Sequence, residues 1–294
     1  MTSDATSHAR EVSAGERFEF GKNWSRFLAR LTPERIEEAE RSLRDMLEVQ
    51  ELGGRSFLDV GSGSGVFSLA ARRLGARVHS FDYDPSSVAC TTELRRRYFP
   101  DDAAWTVERG SALDADFVRS LGAFDVVYSW GVLHHTGDMW RGLDLVAPAV
   151  APGGKLFIAL YNDQGATSRV WKAVKVAYNR APAPLRPIIV SAAAVRLWGP
   201  SLARDLLGGR GLAKLTGYAK ERGMSPWHDL VDWVGGLPFE VARPDDVLAF
   251  YRARGFVLSR LVTCGGGLGC NEFVFTRDAE RAVERDAGAP ASSR

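Results

Sequence analysis

Phe57-Leu58-Asp59-Val60-Gly61-Ser62-Gly63-Ser64-Gly65 is the stretch on which the reading of the whole chain turns. A short apolar run ends in a carboxylate, breaks into three alternating glycines and passes into the apolar-periodic segment 66–74, which reads as strand, tight turn and helix. Glycines at every second position let a turn take positive φ and bring bare backbone against a ligand, beside the N–H groups that open the next helix. A dinucleotide fingerprint would place the third glycine at position 66, where Val66 stands; the spacing is instead Asp-x-Gly-x-Gly-x-Gly.

Outward from this turn, residues 76–81 read as a second strand ending at Asp82, where a doubly wound sheet places a carboxylate that accepts ribose hydroxyls. Tyr83 follows, placed to stack near an adenine, and Asp84-Pro85 forms an N-cap and first-turn pair for the next helix. Trp105 to Glu108 reads as a third strand, leading into Gly110-Ser111-Ala112-Leu113-Asp114. Phe124 to Ser129 is a fourth, running into Trp130-Gly131-Val132-Leu133-His134-His135. Pro152-Gly153-Gly154 reads as a turn before a fifth strand, Lys155 to Tyr161, whose nearly unbroken apolar run suits burial on both faces. A helix from Pro244, then strands over 256–263 and 271–276 joined by Gly265-Gly266-Gly267, closes the pattern.

In this order the motifs resemble the class I methyltransferases that use S-adenosylmethionine (SAM). The His pair after the fourth strand is similar to the ubiquinone- and menaquinone-biosynthesis type. The resemblance runs through residues 56–161 and resumes at the closing elements. It implies a doubly wound Rossmann-like α/β sheet of seven mostly parallel strands with an antiparallel last strand, plus a helical cap inserted after the fifth. It further implies SAM as cofactor, S-adenosylhomocysteine as product, and a cofactor site built from Asp59, Gly61, Ser62, Gly63, Gly65, Asp82, Tyr83, Ser111, Ala112, Trp130 and Trp24. Asp114 belongs to the loop that borders the adenine in this family.

The expected organisation is an irregular arm over 1–15, a helical flap over 16–54, a SAM-binding core over 55–163 and 240–277, a helical substrate cap over 164–239 and a fraying tail over 278–294. Phe20, Trp24, Phe27, Leu28 and Leu31 recur at helical spacing within the flap. The cap holds eleven Lys and Arg against four Asp and Glu, so the chain's net charge of +2 divides into +7 for the cap and −5 for the rest. Clustered positive charge favours an anionic substrate, and the apolar stripe Ile188, Ile189, Val190, Val195, Leu197 and Trp198 among the arginines suits a greasy substrate or peripheral membrane contact. No RNA-binding module is visible, which argues against nucleic acid.

Methyl transfer needs the acceptor held in line with the methyl group, and an acceptor hydroxyl, amine or acidic carbon must also lose a proton. His135, His134 and His228 are the candidate bases, with His135 favoured as the one facing substrate; Tyr161 shares the same rim. Trp227, Asp229, Trp233 and Asn162 are the candidate substrate contacts. The adjacent His pair lacks metal-ligand spacing, so no metal is expected. Cys90, Cys264 and Cys270 form no even disulfide framework, and no signal peptide or spanning segment is read; the expectation is a cytoplasmic protein whose partner is a small-molecule acceptor, with no signal for an oligomeric state. Two other readings stay open: a macromolecular acceptor such as tRNA or a peptide, and a protein of this fold that binds SAM, a nucleotide or a membrane without catalysis.

Overall fold

The structure, a computed structural model, describes residues 3–21, 24, 28, 31–207 and 226–279. Helices α1 (Ser3–Ser13) and α2 (Pro33–Leu47) precede five strands: β1 (Ser56–Val60), β2 (Arg77–Asp82), β3 (Trp105–Arg109), β4 (Phe124–Trp130) and β5 (Val150–Tyr161). Helices α3 (Val66–Arg73), α4 (Pro85–Tyr98), α5 (Ala115–Ser120) and α6 (Met139–Val146) connect them. After β5 come α7 (Ala166–Arg180), α8 (Arg186–Leu207) and α9 (Pro226–Gly235), then α10 (Pro244–Arg252), β6 (Phe256–Val262) and β7 (Cys270–Arg277).

The strands form one seven-stranded sheet in the order β3-β2-β1-β4-β5-β7-β6. β1 to β5 pair in parallel, and β7 lies antiparallel between β5 and β6. Reversal of strand order between β1 and β4 opens the crevice beyond their carboxyl ends where such sheets bind ligands. Ile36, Leu43 and Leu47 of α2 and Leu69 of α3 pack with Phe57, Val126 and Phe157 on one face; Leu143 of α6 and Val247 and Tyr251 of α10 pack with Leu58, Val127, Ile158 and Phe275 on the other. Each such large side chain, fully buried, contributes about 1.5–3 kcal/mol, so Phe157→Ala should cost about 3–5 kcal/mol.

Two local readings are corrected. The run 1–15, expected to be irregular, contains α1, docked by polar contacts that an apolar-periodicity scan does not detect: His8 is buried, and Glu11 takes hydrogen bonds from Arg17 and Tyr83. Pro152-Gly153-Gly154, read as a turn, lies inside β5, where a register shift against Phe124 and Val126 absorbs the irregularity. Helices α7 to α9 bury Trp171, Tyr178, Val190, Ala193, Leu230 and Val234 against one another, with Phe18 and Trp233 packed alongside. Of the expected tail, residues 280–294 lie outside the described residues.

Candidate active site

The turn after β1 carries Gly61 at φ 82°, Gly63 at φ 55° and Gly65 at φ 80°, all in the left-handed region. A Cβ on Gly61 would stand 2.3 Å from Cγ1 of Val132, so this position needs glycine for space as well as for φ. Backbone N–H groups of Gly61 and Ser62 donate to Phe81 O at 2.9 and 3.1 Å, locking the turn onto the end of β2. Asp82 finishes the lock: Oδ2 accepts from Gly63 N and Oδ1 from Asp84 N, both at 2.9 Å. Behind the turn, Asp59 accepts from the Ser68 hydroxyl, which also meets Ser80 at 2.7 Å; Ser80 in turn accepts from Trp105 Nε1.

Burial pushes the Asp59 carboxyl up to about 7, opposed by the Ser68 hydrogen bond and reinforced by the Asp82 charge. Burial likewise raises Asp82 to about 6, against the pull of its two backbone donors. Both acids line a cavity of about 960 Å³ that opens over the strand ends.

One wall of this cavity comes from the N-terminal segment. Arg17 donates through Nε to Glu11 at 2.6 Å and through a terminal nitrogen to His135 O at 3.0 Å, and its guanidinium carbon lies 5.0 Å from the Tyr83 ring centre. Tyr83 Oη donates to Glu11 at 3.0 Å, and Gly21 N donates to Asp84 at 2.9 Å. His8, Glu11, Arg17, Phe18 and Phe20 all line the cavity; of these the sequence reading had only Phe20, as part of the helical flap.

Adjoining this wall is the His pair, in a short turn over Leu133–His135. His135 lines the cavity and shares a hydrogen bond with Pro238 O at 2.5 Å through Nδ1. A carbonyl oxygen only accepts, so Nδ1 carries the proton and the neutral ring keeps its lone pair on Nε2. Burial drives His135 down to about 3; the Pro238 bond opposes this, while the Lys175 and Arg17 charges add to it. His134 stands behind it, buried, with Nδ1 accepting from Tyr161 N at 3.3 Å and Nε2 unpartnered. Burial first, then the charges of His135 and Lys175, hold it well below the usual imidazole range. The Tyr161 ring centre lies 3.9 Å from that of His134, tilted, and 5.2 Å from that of Trp233, edge to face.

The structure brings Asp59, Gly61, Ser62, Gly63, Asp82, Tyr83, Ser111, Ala112, Trp130 and Trp24 to the cavity together with His135, Tyr161 and Trp233. Four sequence-predicted residues are placed elsewhere. Gly65 packs against Thr91, whose Cα would lie 2.8 Å from a Cβ there, so its role is helix packing. Trp227 is 43% exposed and outside the lining, because the turn of α9 that carries it faces away. Asn162 is turned to Asn271, which donates to it at 3.0 Å, and lines a second cleft; His134 lies outside the lining, behind His135. The side chains of His228 and Asp229 lie outside the described residues. Asp114 reaches the cavity, but its carboxylate caps α5 by accepting from Asp116 N and Phe117 N. Tyr128, Val132, Leu197, Trp198, Leu230 and Leu268 also line it; the apolar stripe through Leu197 and Trp198 was a sequence signal for two of them.

Residues 58–156 match the family described as a methyltransferase domain. The matched span runs from β1 to β5 and takes in the glycine turn and the strands that flank it. The chain is similar to the ubiquinone biosynthesis O-methyltransferase of Methylobacterium sp. (strain 4-46), 30% identical over 165 residues that cover 52% of this chain and 64% of that protein. It is also similar to the tRNA U34 carboxymethyltransferase of Methylococcus capsulatus, 34% identical over 123 residues that cover 42% of this chain and 37% of that protein. A solved magnesium protoporphyrin IX methyltransferase from Synechocystis PCC 6803 aligns with a TM-score of 0.49 at 14% identity, covering 83% of each chain. The chain spans about half the length of the curated relatives it matches.

The residues present fit SAM, the cofactor that the sequence resemblance implies. Two carboxylates and the glycine-lined backbone converge on one end of the cavity. The Tyr128 hydroxyl, buried beside Asp59 at that end, has no hydrogen-bond partner within the protein, as a group that meets a ligand would. Among the described residues no group of three or more His, Cys, Asp and Glu side chains could hold a metal ion.

Proposed function

We propose that this protein transfers the methyl group of SAM to O, N or C of a small, largely apolar aromatic acceptor, with His135 as the base. Bound SAM supplies an electrophilic methyl group; Asp82 and the Gly61–Gly63 turn hold it, and Tyr83 packs near its adenine. Helices α7 to α9 cap the acceptor end, where Trp233, Tyr161, Trp198, Leu197 and Leu230 line the space. Excluding water there keeps the reacting atoms in line. As the acceptor gains the methyl group its own proton becomes acidic and passes to Nε2 of His135.

What supports this reading is the hydrogen bond from His135 Nδ1 to Pro238 O at the cavity wall, which leaves Nε2 as the basic nitrogen of the neutral ring. The lining favours an apolar over an anionic acceptor. Its one Lys or Arg among the described residues is Arg17, already engaged by Glu11 and by main-chain carbonyls. A macromolecular polyanion is disfavoured on the same ground, since among the described residues no cation of the cap lines the cavity.

The test is calorimetric binding of SAM followed by release of S-adenosylhomocysteine over a panel of phenols, quinols and aromatic amines. His135→Ala should lower kcat about 10²–10⁴-fold with little change in SAM affinity. A wild-type protein that binds no SAM would sink the class of activity, and a fully active His135→Ala would sink the base alone.

A further inference from the structure

From Gln164 to Arg204 the chain carries seven Lys and Arg and no Asp or Glu. Of these, Arg169, Lys172, Arg180, Arg186 and Arg196 are exposed, and Lys175 is buried. Interleaved with the cations is apolar surface that no described residue covers: Leu185 is 49% exposed, Ile188 63% and Val195 72%. Ile188, Ala192 and Val195 fall at i, i+4 and i+7 of α8, so they share one face, and all three are exposed. The preceding segment 182–187, Pro-Ala-Pro-Leu-Arg-Pro, is exposed throughout and extends the apolar run. On another face of the same helix, Leu197 and Trp198 line the acceptor end of the cavity.

We propose that this face of α8, with the 182–187 segment, docks onto an anionic lipid bilayer. The helix would lie in the headgroup plane, Ile188 and Val195 pointing into the acyl boundary and Arg180, Arg186 and Arg196 meeting lipid phosphates. No helix of the described residues is long and apolar enough to cross a membrane, so the contact is in-plane. The charge pattern selects this occupant. A second copy of the chain packed through the same face would bring these cations against their own copies with no carboxylate from this segment to offset them. A nucleic acid would pair with the arginines but would leave aliphatic Leu185, Ile188 and Val195 in water. A bilayer with anionic headgroups satisfies both sets at once. Docking would place the apolar mouth of the acceptor site, through Leu197 and Trp198, beside the phase where a greasy acceptor dissolves.

The experiment is vesicle co-sedimentation of the full chain without SAM, so its outcome is independent of the methyltransferase reading. Vesicles of equal parts phosphatidylglycerol and phosphatidylcholine are compared with pure phosphatidylcholine, at low salt and at about 0.5 M salt. The expected result is partition onto the anionic vesicles that falls with salt. Ile188→Asp/Val195→Asp should weaken it about a hundredfold, roughly tenfold for each apolar side chain withheld. Arg180→Gln/Arg196→Gln should weaken it about twenty-fivefold, at about fivefold per cation. Far-UV circular dichroism and SAM affinity report whether each variant is folded. No partition by wild type, equal partition onto pure phosphatidylcholine, or an Ile188→Asp/Val195→Asp variant that still sediments like wild type overturns the proposal. A dimer lost in that variant without any vesicle binding gives the face to a second copy. Salt-sensitive tRNA retention without vesicle binding gives it to nucleic acid.

Discussion

Lys175→Met should abolish a rise in stability that the wild-type protein shows between neutral and alkaline pH. Lys175 on α7 has no exposed surface, its ammonium donates to Trp233 O near the end of α9, and it lies 4.3 Å from the Trp233 ring centre and 4.8 Å from that of Phe239. Burial alone, with no carboxylate to offset it, pulls its pKa from 10.5 down to about 7. The folded value lies below the unfolded one, so over that window the unfolded chain binds more protons than the native protein, and stability climbs with pH. The penalty is complete below about pH 7 and is relieved as pH approaches the unfolded value. From pH 7 to about 9.5 the relief amounts to about 3 kcal/mol. Methionine fills similar volume and does not titrate. It forfeits one hydrogen bond, about 1 kcal/mol, because the Trp233 carbonyl loses the Lys175 donor. Lys175→Met should thus match or exceed wild type at pH 7 and fall behind it at pH 9.5. Urea unfolding at both pH values measures this, and the difference between the two proteins cancels every group they share. An equal rise in both proteins would refute the reasoning and leave Lys175 charged in the fold.

Gly61→Ala should lower the thermal midpoint and weaken SAM binding at least tenfold. Its positive φ costs about 1–2 kcal/mol in an L residue, and its Cβ would meet Val132 at 2.3 Å; adding Val132→Ala should restore only the share due to the clash, and an unchanged dissociation constant for Gly61→Ala would exclude any close approach of the turn to SAM. SAM affinity should fall as pH drops through about 6, where Asp82 takes up a proton and loses acceptor capacity for the ribose. In Asp82→Asn the affinity should be lower and flat across that range, and calorimetry from pH 7.5 down to about 5 distinguishes this from a pH response carried by Asp59.

The cofactor end of the site was legible because its requirements are local. A strand, a turn needing positive φ at Gly61 and Gly63, and a carboxylate one strand later are written into consecutive residues, and the register of β1 against β2 then sets Asp82 beside Gly63. The helix starts were legible for the same reason: Asp84 caps α4 by accepting from Ser86 N, two positions away. The N-terminal wall was not. Arg17 reaches His135 across 118 positions, and the polar residues of α1 that meet the cavity carry no apolar period to mark them.

At the acceptor end the residue types were readable and their directions were not. Two tryptophans six positions apart looked equivalent in the sequence, but Trp233 lines the cavity and Trp227 faces solvent, because the docking of α9 on α7 and α8 chooses which face turns inward. Asn162 ends β5 at the predicted rim, yet Asn271 on the neighbouring antiparallel strand claims its side chain. Adjacent His134 and His135 acquired different environments from partners roughly one hundred residues downstream for one, at Pro238, and from Tyr161 for the other. By itself the sequence determined the sheet, the glycine turn and the acids around it, since backbone geometry and short-range hydrogen bonds enforce these. Only the tertiary structure decided which histidine faces the cavity, which nitrogen keeps its lone pair, and that Lys175 is buried while Arg169, Lys172, Arg186 and Arg196 are exposed, since each depends on burial between elements distant in the chain.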